Sequence, residues 1–213
     1  INASQREEVR LAIVEDNKLA ELDIDLPSKN IKSNIYKGTI SRVEPSLEAA
    51  FVNFGRTRHG FLPFKEISED IFTPGKQRSA RDCIEPGKEI VIQVDKEERG
   101  TKGAALTTFL SLAGKYLVLL PKNPNTGGVS RRLEGSDRMA AKKLLSEINI
   151  PDGMSIILRT SGLDTTKETL EWDMNYLIQI FEQILESSVL KKAPFLIYEE
   201  SSMLARVIRD YID

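Results

Sequence analysis

The sequence predicts a β-rich, mixed α/β fold, and two patterns support this prediction. Short alternating apolar runs separated by turn residues fill the first half of the chain, and residues 88–96 are the clearest of them. The second half carries two longer segments whose apolar residues recur at helical spacing. Five of the short strands have the length and order of an OB-fold β-barrel, and an α+β subdomain follows them.

The composition is that of an ordinary globular protein. Its 213 residues suffice for one or two domains with hydrophobic cores. The formal net charge is −2, so any nucleic-acid site must be a local patch. The one cysteine, Cys83, excludes a disulfide or a cysteine-rich zinc site within the chain. Because no long apolar run and no signal-like start occur, we expect a cytoplasmic protein without a transmembrane segment.

Residues 1–33 are predicted to contain a strand pair, 8–14 and 18–26, around the turn Glu15-Asp16-Asn17. A lone hairpin is barely stable in water, so another element should cover its apolar face.

The barrel is predicted to span residues 34–112. Its strands are 36–43, 47–54, 59–64, 88–96 and 104–110. Pro45 and Pro86-Gly87 separate strands, because proline cannot donate to a β-ladder and glycine favours turns. Gly60 should shape a turn, and Leu62 should point into the barrel.

Phe51 and Phe61 lie on neighbouring barrel strands, with Arg58, His59 and Lys65 close by in sequence. Exposed rings beside cations suit RNA, because bases stack on aromatic faces while cations follow the phosphates. The alternative is that both rings belong to the core, which is the commoner place for a phenylalanine.

Residues 99–103 are predicted to form a flexible, basic connection. Glycines flank Thr101-Lys102, so the backbone there can approach a ligand closely. The alternative for Lys102 is a solvated loop lysine.

The subdomain 113–200 is predicted to contain strands 116–120 and 154–160 and two helices. Ser136 should cap the first helix, and a capping box of Thr165 and Glu168 should begin the second. The residues expected to face the core are Met139, Leu144, Leu145, Ile148, Leu170, Met174, Leu177, Ile178, Phe181, Ile184 and Leu185.

Three further assignments complete this part of the chain. Trp172, at the edge of the second apolar stripe, is assigned to packing. Residues 193–198 are predicted to be extended, and 201–213 to start another helix.

A candidate anion site lies at Arg159-Thr160-Ser161-Gly162, between a strand and a helix. An arginine there can grip a phosphate through two parallel hydrogen bonds, and glycine lets backbone amides converge on an anion. Arg131-Arg132 follows a Gly-Gly turn. Each motif is weak alone, because such arginines are usually surface ion-pair partners.

No residue is assigned a catalytic or metal-binding role. Asp95, Glu97 and Glu98 cluster beside basic residues, as a solvated loop does, and they are not taken as metal ligands. His59 has no paired carboxylate or second histidine in view, so it is not assigned acid–base chemistry.

Four ordered motifs resemble the ribonuclease E/G family. They are GTISRVEPSLEAAFVNFG with HGFLP, DKEERGTKGAALTT at 95–108, GGVSRR at 127–132 and LRTSG at 158–162. They span nearly the whole chain, and the match is nearer to the E branch of the family than to the G branch. The stretch 72–84 is shorter than the family pattern.

The resemblance implies a role for each part of the chain. The barrel would be an S1 RNA-binding domain, with Phe51, Phe61, Lys102, His59 and Lys37 on its RNA face. Residues 1–33 and 201–213 would belong to one RNase H-like subdomain.

Residues 113–200 would then be a sensor for RNA 5′ ends. Arg159 and Thr160 would hold a 5′-monophosphate, and Arg131 would add charge. Val118 would pack on the terminal base, and Gly114 would approach it through its backbone.

For the whole protein, the resemblance implies an endoribonuclease specific for single-stranded RNA, active in mRNA decay and in rRNA and tRNA processing. Mg²⁺ for catalysis and Zn²⁺ between protomers would be held beyond Asp213, so these 213 residues should bind RNA, need no cofactor and not cleave. A homotetramer that scaffolds a degradosome, with a possible peripheral inner-membrane location, is implied as well. The alternatives are a stand-alone OB-fold RNA-binding module without nuclease activity and a protein–protein adaptor.

Overall fold

A computed structural model describes residues 2–5, 8–25, 30–68, 71, 84–124, 126–200 and 209. The described residues form three β-sheets and two long α-helices. Most of the stretch 72–84 lies outside them. So does the helix predicted at 201–213, apart from Arg209.

An antiparallel sheet opens the chain. Its strands are β1 (Asn2–Gln5), β2 (Glu8–Glu15) and β3 (Lys18–Asp25), in that order. The β2–β3 hairpin was predicted, and β1 was not. Asp16 and Asn17 form the turn of the β2–β3 hairpin. Their φ angles of 49° and 60° are a left-handed conformation that these two residue types tolerate. The assignment of this sheet to an RNase H-like subdomain stays a prediction.

The barrel closes as predicted. Its strands are β4 (Ile35–Glu44), β5 (Ala49–Asn53), β6 (Gly60–Pro63), β7 (Glu89–Lys96) and β8 (Ala105–Thr107). They pair in the order β4-β5-β6-β8-β7, and β7 pairs back to β4. Only β6 and β8 run parallel, and the other pairs are antiparallel. The five-stranded OB-fold is therefore confirmed.

Alternation along these strands separates an apolar interior from the outer surface. The interior side chains with at most 1% exposure include Ile40, Val52, Phe54, Leu62, Ile92, Val94 and Leu106. Leu62 thus points inward, as predicted. Gly60 is needed because a Cβ atom there would lie 2.3 Å from Leu106 Cδ1, so the glycine makes room for the core as well as ending a turn.

The third sheet forms the subdomain that follows the barrel. Its strands are β9 (Leu112–Ala113), β10 (Leu117–Pro121), β11 (Gly128–Val129) and β12 (Met154–Leu158), and its helices are α1 (Gly135–Ser146) and α2 (Lys167–Leu190). The sheet order is β11-β12-β10-β9, with β11 parallel to β12. The buried residues of α2 pack in one cluster with the inward residues of β10 and β12. These α2 residues are Leu170, Met174, Leu177, Phe181 and Ile184.

Helix boundaries and faces differ from the sequence prediction in several places. The N-cap of α2 is Thr166, whose side chain accepts from the Thr169 amide at 3.3 Å, whereas Thr165 donates to the Gly162 carbonyl. Helix α1 has Glu134 as its N-cap position and not Ser136. Neighbouring serine and threonine residues have similar capping preferences, so the sequence alone does not determine at which residue the helix begins.

Three side chains predicted to pack are exposed. Met139 is 69% exposed because α1 buries a narrow stripe centred on Ala141, and Leu185 is 36% exposed. Trp172 is 68% exposed and stacks on Tyr176, with ring centroids 6.0 Å apart. Helical spacing gives the direction of the buried face but not its width, so residues at its edge were misplaced.

The last described strand, β13 (Phe195–Tyr198), connects the two halves of the chain. It pairs antiparallel with the start of β4, placing Phe195 opposite Lys37, and becomes the sixth strand of the barrel sheet. The extended conformation was predicted and its partner was not. The domain limits inferred from the sequence stay predictions.

Candidate nucleic-acid interface

The Phe51 and Phe61 rings form a pair on the outer surface of the barrel. The two residues are directly opposite each other on β5 and β6, and their centroids lie 5.9 Å apart at 67°. Both side chains are partly exposed, in contrast to Leu62. The guanidinium of Arg42 lies 4.7 Å from the centroid of Phe51, a cation–π contact. The rings therefore offer aromatic surface beside positive charge.

A recess of about 490 Å³ opens beside Phe51. The residues lining it are Ser41, Arg42, Phe51, Arg58, His59, Thr101 and Gly103. Arg42 and Arg58 are exposed cations at its walls. Sequence reasoning did not single out Ser41, Arg42 or Thr101, although Arg42 could have been found as the β4 residue that pairs with Phe51.

His59 is held at the recess by a chain of hydrogen bonds. Its Nδ1 atom lies 2.8 Å from Ser41 Oγ, and that hydroxyl donates to the Phe51 carbonyl at 3.0 Å. Ser41 is the extra residue of a β-bulge, since Ile40 pairs with Val52 and Arg42 with Phe51.

The connection at 99–103 is a hydrogen-bonded turn. Arg99 and Lys102 exchange backbone hydrogen bonds of 3.1 and 3.0 Å, and Arg58 donates to the Gly100 carbonyl. A Cβ atom on Gly103 would lie 2.3 Å from the His59 carbonyl oxygen, so glycine permits the turn to approach β6. The structure therefore places exposed Lys102 close to the recess.

Lys37 lies apart from this surface. Its ammonium pairs with Glu89 at 2.6 Å and donates to the Lys191 carbonyl at 3.0 Å. The side chain is only 15% exposed and does not line the recess. Its contact with RNA stays a prediction.

A second candidate surface lies where β12 ends. Because β11 runs parallel to β12, with Ser130 donating to the Leu158 carbonyl at 2.8 Å, the chain leaves both strands at the same edge. This geometry puts Arg131 at the same edge of the sheet as Arg159 and Thr160. Arg131 and Thr160 are exposed, and Arg159 is partly buried.

The other two predicted sensor residues reach the same edge. Arg159 donates from its guanidinium to the Gly114 carbonyl and from its amide to the Tyr116 carbonyl, the latter at 2.9 Å. Val118 pairs with Ile157, two residues before Arg159, and therefore shares the sheet face of Arg159. The fold thus brings the five predicted sensor residues to one region.

Asp173 supports this region and was missed by sequence reasoning. It is 2% exposed, and its carboxylate accepts from the amides of Tyr116 and Leu117 at 2.9 Å each and of Lys115 at 3.3 Å. The available signal was an aspartate inside the apolar stripe of α2, since a buried carboxylate requires hydrogen-bond donors.

Comparisons with known proteins show which family the chain belongs to. The model of the S1 RNA binding domain matches residues 29–109, and the model of the ribonuclease E/G family matches residues 111–213. The chain belongs to the ribonuclease E/G family.

Relatives in this family match the whole length of the chain. Ribonuclease E of Haemophilus influenzae is 51% identical over 100% of the chain, and that of Escherichia coli is 49% identical over 100%. Ribonuclease G of Haemophilus influenzae is 34% identical over 96%. The chain spans 23%, 20% and 43% of these three relatives, respectively, so it corresponds to the N-terminal part of ribonuclease E.

Two further observations on this ribonuclease E/G chain concern metal binding and membrane spans. Within the described residues no group of three or more His, Cys, Asp or Glu side chains could hold a metal ion. Of the acids considered from the sequence, Glu97 accepts from the Ile31 amide at 2.7 Å. No helix in the described part of the chain is long and apolar enough to cross a membrane.

Proposed function

We propose that the barrel binds single-stranded RNA through Phe51, Phe61 and the recess beside them. The observation that carries this proposal is the pair of partly exposed rings flanked by the guanidinium of Arg42. Bases of any sequence stack on such rings, and cations at the rim hold the phosphates. His59 and Lys102 contribute at the rim, and Lys37 is a further candidate contact.

The second part of the proposal is that the edge at β11 and β12 binds a 5′-monophosphate. The position of Arg131 and Arg159 at the same edge of the sheet supports it. A guanidinium matches two phosphate oxygens at once, and the Thr160 hydroxyl can donate to another. Val118 would pack on the first base, and the Gly114 backbone would line the pocket.

For the longer protein we propose a single-strand-specific endoribonuclease in mRNA decay and rRNA and tRNA processing. The names of the relatives, ribonuclease E and ribonuclease G, support this activity. The proposal also includes Mg²⁺ as the catalytic ion and Zn²⁺ as the link between protomers. It further includes a homotetramer, a role as degradosome scaffold and a cytoplasmic or peripheral inner-membrane location. They rest on the family resemblance alone.

Equilibrium binding to a labelled single-stranded RNA tests the first part. Affinity should fall linearly with salt on a log–log plot, because bound phosphates release counterions. Arg42→Ala should weaken binding and reduce the salt slope. Lys142→Ala, which removes an exposed charge on α1, is the matched control and should do neither. Salt-independent binding, or equal loss in both variants, would contradict the proposal and favour a protein–protein adaptor.

A stand-alone RNA-binding module remains the second candidate, since an S1 domain binds RNA without cleaving it. The complete reading frame discriminates between the two. A nuclease requires a segment with converging carboxylates that hold a metal ion.

A further inference from the structure

We propose that the barrel distinguishes ribose from deoxyribose through His59, which Ser41 holds in the neutral tautomer that is protonated on Nδ1. In this state Nε2 accepts a hydrogen bond from a ribose 2′-hydroxyl. The inference rests on the proposed RNA binding by the barrel. It makes His59 a specificity-determining residue and Ser41 a positioning residue.

The hydrogen-bond chain is the basis for assigning the tautomer. Ser41 Oγ lies 3.0 Å from the Phe51 carbonyl oxygen and 2.8 Å from His59 Nδ1. A carbonyl oxygen can only accept, so Ser41 satisfies both neighbours at once only when its single hydroxyl proton is donated to Phe51. In that assignment Ser41 Oγ accepts from His59, and Nδ1 carries the proton. The neutral imidazole is left with Nε2 as its acceptor.

The surroundings hold this arrangement in place. Ser41 sits in the bulge of β4, which directs its hydroxyl to the Phe51 carbonyl. Gly103 packs against the backbone of His59, leaving no room for a side chain. The imidazole itself is exposed and lines the recess together with Phe51. Nε2 is therefore the ring nitrogen that a bound nucleotide would meet.

The chemistry of a nucleotide indicates the partner. Phosphate oxygens only accept hydrogen bonds, so they suit the guanidinium groups of Arg42 and Arg58 that share the recess. Base faces suit the ring of Phe51. The 2′-hydroxyl can donate, and every ribonucleotide carries it whatever its base. An acceptor beside an aromatic platform and two cations thus complements the ribose.

The tautomer can be measured directly, because His59 is the one histidine in the sequence. The imidazole ¹⁵N signals of the 213-residue chain therefore belong to it alone. At a pH where the ring is neutral, the expected spectrum is that of the Nδ1–H form. Ser41→Ala should shift it toward a mixture of tautomers, and Ser41→Thr, which keeps a hydroxyl, should retain it. An Nε2–H form in the wild type would overturn the proposal.

Binding of matched oligouridylates tests the partner. The 2′-fluoro form keeps a ribose-like pucker but cannot donate, so it isolates the hydrogen bond from sugar shape. Wild type should bind the 2′-hydroxyl form about 2- to 10-fold more tightly than the 2′-fluoro form, the usual worth of one neutral hydrogen bond. His59→Phe, which keeps an aromatic ring, should abolish the difference. Ser41→Ala should reduce it, and Ser41→Thr should restore it.

The outcomes separate this inference from the proposed function. A difference that survives in His59→Phe would overturn the inference. So would a loss of affinity in His59→Phe that is equal for the two sugar forms and occurs with oligoadenylate but not with oligouridylate, which would assign Nε2 to a base amino group. Equal binding of the two sugar forms, with binding still weakened by Phe51→Ala, would reject the inference alone. Failure of wild type to bind any of these oligonucleotides would reject the RNA-binding proposal.

Discussion

The carboxylate of Asp173 occupies the space that a side chain on Gly114 would need. A Cβ atom on Gly114 would lie 2.5 Å from Asp173 Oδ2, and the same carboxylate holds the amides of the next three residues. The turn at 114–117 therefore follows the surface of α2, and the Gly114 carbonyl is presented to Arg159. A buried residue on the helix thus positions the backbone of the candidate phosphate pocket.

Asp173→Asn should destabilise the protein. The amide keeps one acceptor oxygen but loses the charge, so hydrogen bonds worth about 1.5–3 kcal/mol are weakened. Urea unfolding measures the loss, and Glu182→Gln on the exposed side of α2 is the matched control, which should change the free energy of unfolding little. Equal stability of the wild type and Asp173→Asn would show that the carboxylate does not hold the turn.

Gly114→Ala should also lower the free energy of unfolding, by about 1–3 kcal/mol, which is typical of overpacking. The methyl group meets a buried carboxylate that three hydrogen bonds hold in place, so neither side yields easily. Gly153→Ala is a contrasting variant in an exposed turn, where the cost comes from the left-handed backbone (φ 77°) and not from crowding, since nothing lies within 4 Å of the added Cβ atom. The two variants should differ in the preference for a 5′-monophosphate, which only Gly114→Ala should lower.

Phe51→Ala and Phe61→Ala should each weaken binding of single-stranded RNA by about 1–3 kcal/mol, the usual worth of one base–aromatic stack. The fold should survive, because both rings are partly exposed. Leu62→Ala is the contrasting variant. Its side chain is fully buried, so it should lower the free energy of unfolding by about 2–5 kcal/mol.

Titration with labelled RNA and thermal unfolding of the same samples check these expectations together. Unfolding of the barrel by either phenylalanine substitution would place that ring in the core. An unchanged RNA affinity in both variants would remove the rings from the interface.

Much of the barrel could be predicted because its strands and turns are specified by residues that are neighbours in sequence. Alternation along β7, Pro45 and the turn before Lys88 specify strands and breaks from neighbouring residues alone. The outward direction of the Phe61 side chain follows in the same way. Leu62 points inward, so the adjacent side chain of the strand must point outward.

The rest depended on contacts between residues distant in sequence. No pattern around Ser41 shows that it meets His59, and none around Asp173 shows which amides it holds. Nor does any local pattern show that the ammonium of Lys37 binds Glu89 and the Lys191 carbonyl. Such pairings arise when strands close into a barrel or a helix packs on a sheet, and a single sequence does not display them.

The ion pair of Lys37 and Glu89 should make stability depend on pH. The hydrogen bond from Lys37 is the main cause that lowers the pKa of Glu89 below 4.5, with a second from the Ala193 amide. A lowered folded-state pKa stabilises the protein above the unfolded-state value, and this contribution is lost as pH falls through the folded-state pKa. Wild type should therefore lose more thermal stability than Glu89→Gln between neutral pH and about pH 3. Identical profiles for the two proteins would contradict this.

The final prediction concerns the RNA 5′ end. If Arg159, Thr160 and Arg131 form a phosphate pocket, a 5′-monophosphate oligonucleotide should bind more tightly than its 5′-hydroxyl form. A terminal monophosphate carries nearly two negative charges and three acceptor oxygens. One guanidinium can hold two of those oxygens, and the Thr160 hydroxyl can donate to the third. A 5′-triphosphate should gain less, because a pocket that closes around one phosphate leaves no room for two more.

Substitutions at Arg159 separate charge from geometry. Arg159→Lys should lose most of the monophosphate preference, because an ammonium keeps the charge but not the planar fork of donors. Arg159→Ala should abolish the preference while sparing binding through Phe51 and Phe61, and Lys142→Ala should change nothing. Titrating these proteins with the three 5′-end forms decides the matter. Equal affinity of the wild type for the hydroxyl and monophosphate forms would reject the sensor assignment, since a bound terminal phosphate must add charge-assisted hydrogen bonds that the hydroxyl form lacks.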